Sequence, residues 1–291
     1  MKIKEQHKGL VSLIILAWVF ATMGIFARFL STEFDLFEQT YLRIGLALLM
    51  SLYFFRKKIQ YKKLLLISKK DFFILILRSV SLYLGIVLIT NAFLITTYSS
   101  ATFTASLPLL PLFGYLILKE KIKLRTLAYI LVGFVGFLFI GIKSFSDLSL
   151  GYGEISAFLA LLMFDISYTT RKLQDDTLND YEITAAMFLA GFLFLFITSL
   201  IMGEGLPSLS QFTPVVITVI FIASIFNLLN LFLTNYGFGK VKTAVAGNIL
   251  TLEALFAFLY GVVLFKEPIV AKEVFGGILI IISVLLVNKS E

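Results

Sequence analysis

A chain of 291 residues with 59% hydrophobic and only 15% charged residues, at a mean hydropathy of +0.97, carries too little charge to cover a soluble domain of its size. The absence of cysteine excludes a disulfide framework, a thiolate metal site and a cysteine nucleophile. The one histidine, His7, lies in the N-terminal tail, which excludes histidine-based metal or general-base chemistry inside a bilayer.

In chain order, the apolar runs predict ten membrane-spanning helices of about 20 residues each. They are 9–30, 36–55, 72–94, 98–118, 124–142, 153–172, 183–202, 213–235, 243–265 and 270–287. The first follows the basic stretch MKIKEQHK but has no small-x-small cleavage signal, so it reads as a retained signal-anchor helix. The longest connection, 56–71, is strongly basic and is expected to lie along the membrane surface. With the N-terminus inside, 19 of the 25 Lys and Arg fall at cytoplasmic ends and 4 at the opposite ends, while Arg43 and Arg78 lie within spans. This excess predicts cytoplasmic termini and accounts for the net charge of +7 without a nucleic-acid partner.

Spans 1 and 6 both open at a glycine and end near a basic residue, and spans 4 and 9 both end in Lys-Glu (Lys119-Glu120 and Lys266-Glu267). The sequence therefore predicts an all-α polytopic membrane protein with two five-helix repeats, at 1–143 and 151–291. Because five is odd, the second copy enters the membrane in the opposite sense, as in the inverted repeats of secondary transporters.

Charge is expensive at the bilayer centre, about 2.5–3.5 kcal/mol on insertion scales, so charged residues within spans are candidates for function. Asp165 lies about 18 Å into span 6 and Glu253 about 15 Å into span 9, from the 1.5 Å rise per residue. Each is a candidate to bind a cationic group of a substrate or to carry a coupling proton; the competing reading is a structural pair. Arg43 has three candidate roles: pairing with one of these acids, receiving a substrate carboxylate, or snorkelling. Arg78, six residues into span 3, is expected to snorkel. Glu38, Glu120 and Glu267, at span ends, read as boundary residues.

Softer polar groups recur at helical spacing: Tyr98, Thr102 and Ser106 on span 4; Asp165 and Thr169 on span 6; Asn227, Asn230 and Thr234 on span 8; Asn248 and Thr251 on span 9. They predict a polar cavity between spans 4, 6, 8 and 9, with Trp18 as a candidate aromatic wall and Pro108 and Pro111 as hinges. Interhelical hydrogen bonding is the bland alternative for any one of them. Glycines in spans 5 and 10, including Gly133, Gly136, Gly276 and Gly277, read as close-packing positions.

These features together resemble the ten-span, EamA-type members of the drug/metabolite transporter superfamily. The resemblance rests on LFEQTYLRIGLALL around Arg43, YSSATFTASLPLLPLFGYLILKE, GFVGFLFIGIK, GEISAFLALLMFDISY and the Lys-Glu of span 9. It implies a carrier of amino acids, nucleoside-like compounds or other small metabolites, more often exporting than importing. Members usually carry one proline in each of spans 4 and 9; here span 4 has two and span 9 none, which predicts unequal bending. No cofactor, metal or P-loop is expected. The alternative class is a membrane-embedded lipid or isoprenoid transferase, for which the acids Asp175, Asp176, Asp180 and Glu182 offer the one cluster.

Overall fold

The computed structural model describes residues 2–144, 149–175, 177–241, 243–250 and 252–290. Each predicted span becomes helical. The first half comprises α1 (Lys2–Leu30), α2 (Leu36–Phe54), the short surface helix α3 (Tyr61–Leu65), α4 (Lys69–Ile95), α5 (Tyr98–Ala105), α6 (Leu110–Leu118) and α7 (Leu124–Gly141). Two short antiparallel strands, Ile142–Ser144 and Ser149–Leu150, join it to the second half. There follow α8 (Tyr152–Thr170), α9 (Asp180–Met202), α10 (Pro214–Lys240), α11 (Thr243–Leu250), α12 (Leu252–Val263) and α13 (Ala271–Ser290).

Among the described residues, five helical stretches are long and apolar enough to cross a membrane by length and composition: His7–Leu30, Lys69–Ile95, Tyr98–Leu118, Asp180–Met202 and Pro214–Lys240. Leu124–Ile140 and Leu252–Val263 are shorter apolar helices. The 19-residue helices α2 and α8 are diluted by Glu38 with Arg43 and by Glu154 with Asp165. Large apolar side chains face outward along the bundle, among them Leu49, Phe73, Leu116, Ile201 and Val263 at 62–77% exposure. A surface of this kind is stable only against an apolar solvent.

The two halves share local details. α2 and α9 each start with a capping box, Asp35 with Glu38 and Asn179 with Glu182. Lys119 and Lys266 are the non-glycine residues with positive φ among those described, at 57° and 51°. In both places the following glutamate donates its amide N–H to a glycine carbonyl six residues back, Glu120 to Gly114 at 3.2 Å and Glu267 to Gly261 at 3.0 Å. The principal packing pairs are α7 with α13, α4 with α8, α1 with α10, α2 with α9, α2 with α10 and α4 with α9, followed by α5 with α12 and with α8. Every one of these joins the two halves. α7 and α13 pack closely because a Cβ on Gly136 would meet the Gly276 carbonyl oxygen at 2.5 Å, and one on Gly276 would meet that of Gly136 at 2.5 Å.

The first of the two segments with the Lys-Glu endings is divided into two helices. Residues 106–109 separate α5 from α6. Proline has no N–H to continue the ladder at Pro108, and the carbonyls of Phe103 and Thr104 accept instead from the Ser106 and Leu107 amides. Pro111 lies in the first turn of α6, where a missing N–H is harmless. Of the second segment, which contains no proline, the structure describes helix at Thr243–Leu250 and Leu252–Val263. Glu253 lies in α12.

Candidate functional site

A cavity of about 100 Å³ lies inside the bundle, where the α5–α6 break meets α8, α10 and the start of α12. Its polar lining is Arg43, Thr90, Ser106, Asp165, Asn227, Asn230 and Glu253, with Tyr168 at one side. Phe20, Phe93, Phe164, Met23 and several aliphatic side chains complete the wall, together with Pro108 and Pro111. Spans 4, 6, 8 and 9 all contribute, as the polar stripes predicted; α1, α2, α4 and α13 contribute as well.

The charged lining residues come from three helices. Asp165 is 2% exposed and its Oδ2 has no hydrogen-bond partner. Burying such a group unpaired is costly, which makes it a strong mark of a site that receives something. Arg43, 3% exposed, donates from Nε to the Gln39 carbonyl at 3.1 Å and makes a long contact from Nη2 to Thr40 Oγ1 at 3.5 Å. Both contacts are within its own helix, and among the described residues Arg43 has no carboxylate partner. The pairing of Arg43 with Asp165 or Glu253 is therefore not formed. Asn227, which lines the cavity, donates from Nδ2 to the Ala223 carbonyl at 2.8 Å.

Tyr98, Thr102 and Trp18 lie elsewhere. Tyr98 is fully buried, stacked between Phe93 at 4.6 Å and Phe265 at 5.3 Å, and its hydroxyl donates to the Ala21 carbonyl. Thr102 donates to the Tyr98 carbonyl at 2.9 Å. Trp18 is 41% exposed on the outer face of α1, 5.3 Å from Phe226. Asn248 lies in α11 with its side chain outside the described residues, as does Thr251 entirely.

Tyr98 belongs instead to a clasp at one end of the bundle. Arg28 donates to the Phe93 carbonyl at 2.8 Å, the Thr96 carbonyl at 3.0 Å and Glu267 Oε1 at 2.8 Å. Its guanidinium lies 4.3 Å from the Phe265 ring centroid. Glu267 also accepts from the Tyr98 amide at 2.7 Å. This one cluster ties α1, the α4–α5 junction and the end of α12. At the same end Glu38 caps α2, so two of the three boundary glutamates act through backbone donors.

Arg78 corrects the snorkelling expectation. It is 1% exposed and donates to the Ser167 carbonyl at 3.1 Å, to Gln174 Oε1, and to Asn235 Oδ1 at 2.6 Å. Asn235 passes the network on to Thr184 at 3.0 Å. A side chain with this many fixed acceptors is held inward rather than released to the interface.

The acidic cluster weighed for a transferase is used otherwise. Asp175 pairs with Lys70 at 3.2 Å, Asp180 with Arg171 at 2.8 Å, and Glu182 belongs to a capping box; Asp176 lies outside the described residues. Among the described residues no group of three or more His, Asp or Glu side chains is arranged to hold a metal ion.

The sequence missed several lining residues. Tyr168 follows Asp165 at helical spacing i, i+3, a signal that was present. Thr90, Phe20 and Phe93 had none, since single residues in apolar helices do not reveal their direction.

Family comparison decides the class. The profile of the EamA-like transporter family matches residues 7–142 and again 151–289. The chain belongs to the EamA-like transporter family. It is similar to an uncharacterized transporter of Archaeoglobus fulgidus, 26% identical over 200 residues that span 66% of this chain and 61% of that protein. A protein of known crystal structure shares the fold at a TM-score of 0.71 and 12% identity, over 97% of this chain and 98% of the other. The EamA architecture of two repeats and the apolar helices make this an integral membrane protein, and the family is one of transporters.

Proposed function

We propose that this EamA family member is a secondary carrier that moves a small metabolite across the cell membrane by alternating access. Ten spans form two inverted five-helix repeats, 1–143 and 151–291, with both termini cytoplasmic. The shared caps, the paired left-handed lysines and the exchange of packing partners between halves support the repeat. The 19 to 4 distribution of basic residues supports the orientation.

The observation that carries the reading is the convergence of Asp165, Glu253 and Arg43 on one internal cavity beside the broken α5–α6 segment. Broken helices at the midplane are where transporters of this plan place their cargo. Asp165 is the binding or proton-coupling group, Glu253 supports it, and Arg43 with Asn227 and Asn230 orients the polar part of the substrate. Pro108 and the ends of α5 and α6 provide the bend around which one half rocks. The cargo has the chemistry of an amino acid or nucleoside-like compound, and the carrier exports it in exchange for a proton.

Counterflow in liposomes against a panel of labelled metabolites, with and without a pH gradient, tests this. Saturable exchange of at least one amino acid or nucleoside-like compound is expected, accelerated by the gradient. Asp165→Asn is expected to fold as the parent and to lose gradient-driven transport by about a hundredfold. Full transport by that variant with unchanged pH dependence overturns the role of Asp165.

A further inference from the structure

Beyond transport, the structure assigns a second surface. We propose that residues 56–70 form a seat for the headgroups of anionic phospholipids. The inference rests on the membrane reading of the helices but not on any transported substrate.

Three observations meet there. First, Arg56, Lys57, Lys58, Lys62, Lys63 and Lys69 are all exposed, and among the described residues none has a carboxylate partner. Within this segment only Lys70 has one, Asp175 at 3.2 Å. Second, the segment is fixed to the bundle rather than hanging from it. Ile59 is buried, the Gln60 amide donates to Glu182 Oε1 at 2.9 Å, and the Lys58 carbonyl accepts from Asn179 Nδ2 at 3.0 Å. Phe55 packs on Tyr181 at 4.9 Å. The cations are therefore presented at set positions, with little ordering left to be done on binding.

Third, the same stretch exposes apolar and aromatic side chains. Tyr53, Phe54 and Tyr61 are 54–63% exposed, Phe72 and Phe73 are 55% and 67% exposed, and Leu66 is 83% exposed. Aromatic residues gather at headgroup depth, and a run of four to eight Lys and Arg beside a span attracts anionic lipid. A soluble polyanion such as RNA would satisfy the cations but leave Leu66 and the aromatic rings in water. A lipid surface satisfies both, the phosphodiester on the cations and the acyl region on the rings.

The test uses the full chain purified in a neutral detergent, with thermal unfolding as the readout. Phosphatidylglycerol is expected to raise the midpoint saturably, phosphatidylcholine is not, and the rise shrinks with added salt. The variant Lys57→Gln/Lys58→Gln/Lys62→Gln/Lys63→Gln is expected to keep the lipid-free midpoint, since these side chains are exposed. Its half-saturating phosphatidylglycerol concentration rises by up to about a thousandfold, from about 1 kcal/mol per lysine removed. Lys266→Gln, at the other end of the bundle, responds as the parent. Equal responses to the two lipids, or a parental phosphatidylglycerol response in the quadruple variant, overturn the proposal. So does inorganic phosphate reproducing the shift, which would mark a soluble-anion site, or displacement of the lipid by a short RNA. Because no transport is measured, a failed counterflow assay and a failed lipid response are separate results.

Discussion

Arg43 and Arg78 are 3% and 1% exposed, yet their guanidinium groups are satisfied in different ways. Arg78 reaches acceptors on three separate elements, the Ser167 carbonyl in α8, Gln174 in the following loop and Asn235 in α10. Among the described residues, Arg43 hydrogen-bonds only within its own helix, and it borders the cavity. Removing a donor from a filled network strands its acceptors, at a cost of about 1–3 kcal/mol for each buried group left unsatisfied. Arg78→Met is therefore expected to lower stability by about 3 kcal/mol, read as a fall in the thermal midpoint of the purified protein. Arg43→Met strands little, so its midpoint stays near the parent while transport in liposomes is lost. Equal midpoints for the two variants would show that Arg78 is not a structural hub. The sequence placed both arginines within spans but could not separate them. Depth along one helix is a local quantity, whereas the partners of Arg78 lie 89 to 157 residues away.

Helix boundaries were more legible, because their causes are local. Asp35 three residues before Glu38, Asn179 three before Glu182, and Thr213 before Pro214 are start signals that the structure uses. Pro108 and Pro111 mark the break in the fourth segment, while in the second half the signals are the charges of Asp165 and Glu253 and the stripe of Asn227 and Asn230. The polar stripe Tyr98–Thr102–Ser106 misled in a specific way. Its spacing is helical and its members share a face, but only Ser106 lies at the cavity, since Tyr98 is packed into the Arg28 clasp and Thr102 is bonded back to the Tyr98 carbonyl. Glycine was read correctly at the α7–α13 contact, where backbones meet with no room for a Cβ. Gly136→Val is expected to force these helices apart and to destabilise by about 1–3 kcal/mol, the usual range for overpacking. Gly205→Val, at a loop glycine with nothing within 4 Å of an added Cβ, tests whether any glycine would do the same through its positive φ of 81°. A smaller loss at Gly136 than at Gly205 would show that the α7–α13 contact tolerates separation.

Across the whole molecule, hydropathy makes the apolar helices legible because the bilayer acts on each one separately, while their pairing order depends on contacts between halves that no single segment encodes. Orientation is the link between the two, since the clasp at Arg28 and the basic segment at 56–70 must lie on opposite sides of the membrane if the chain crosses it ten times. A chain with no native cysteine allows this to be measured with single introduced thiols. Leu209, 91% exposed in the loop between α9 and α10, is on the outer side if the termini are cytoplasmic. Lys62, exposed on α3, is then on the inner side. In intact cells a membrane-impermeant maleimide is expected to label Leu209→Cys at once and to label Lys62→Cys only after the membrane is opened. The reverse pattern would overturn the cytoplasmic placement of the termini. Labelling of both thiols from outside would mean an odd number of crossings between residues 62 and 209 is not present, and with it the five-span repeat would fall, because an odd repeat is what turns the second half over.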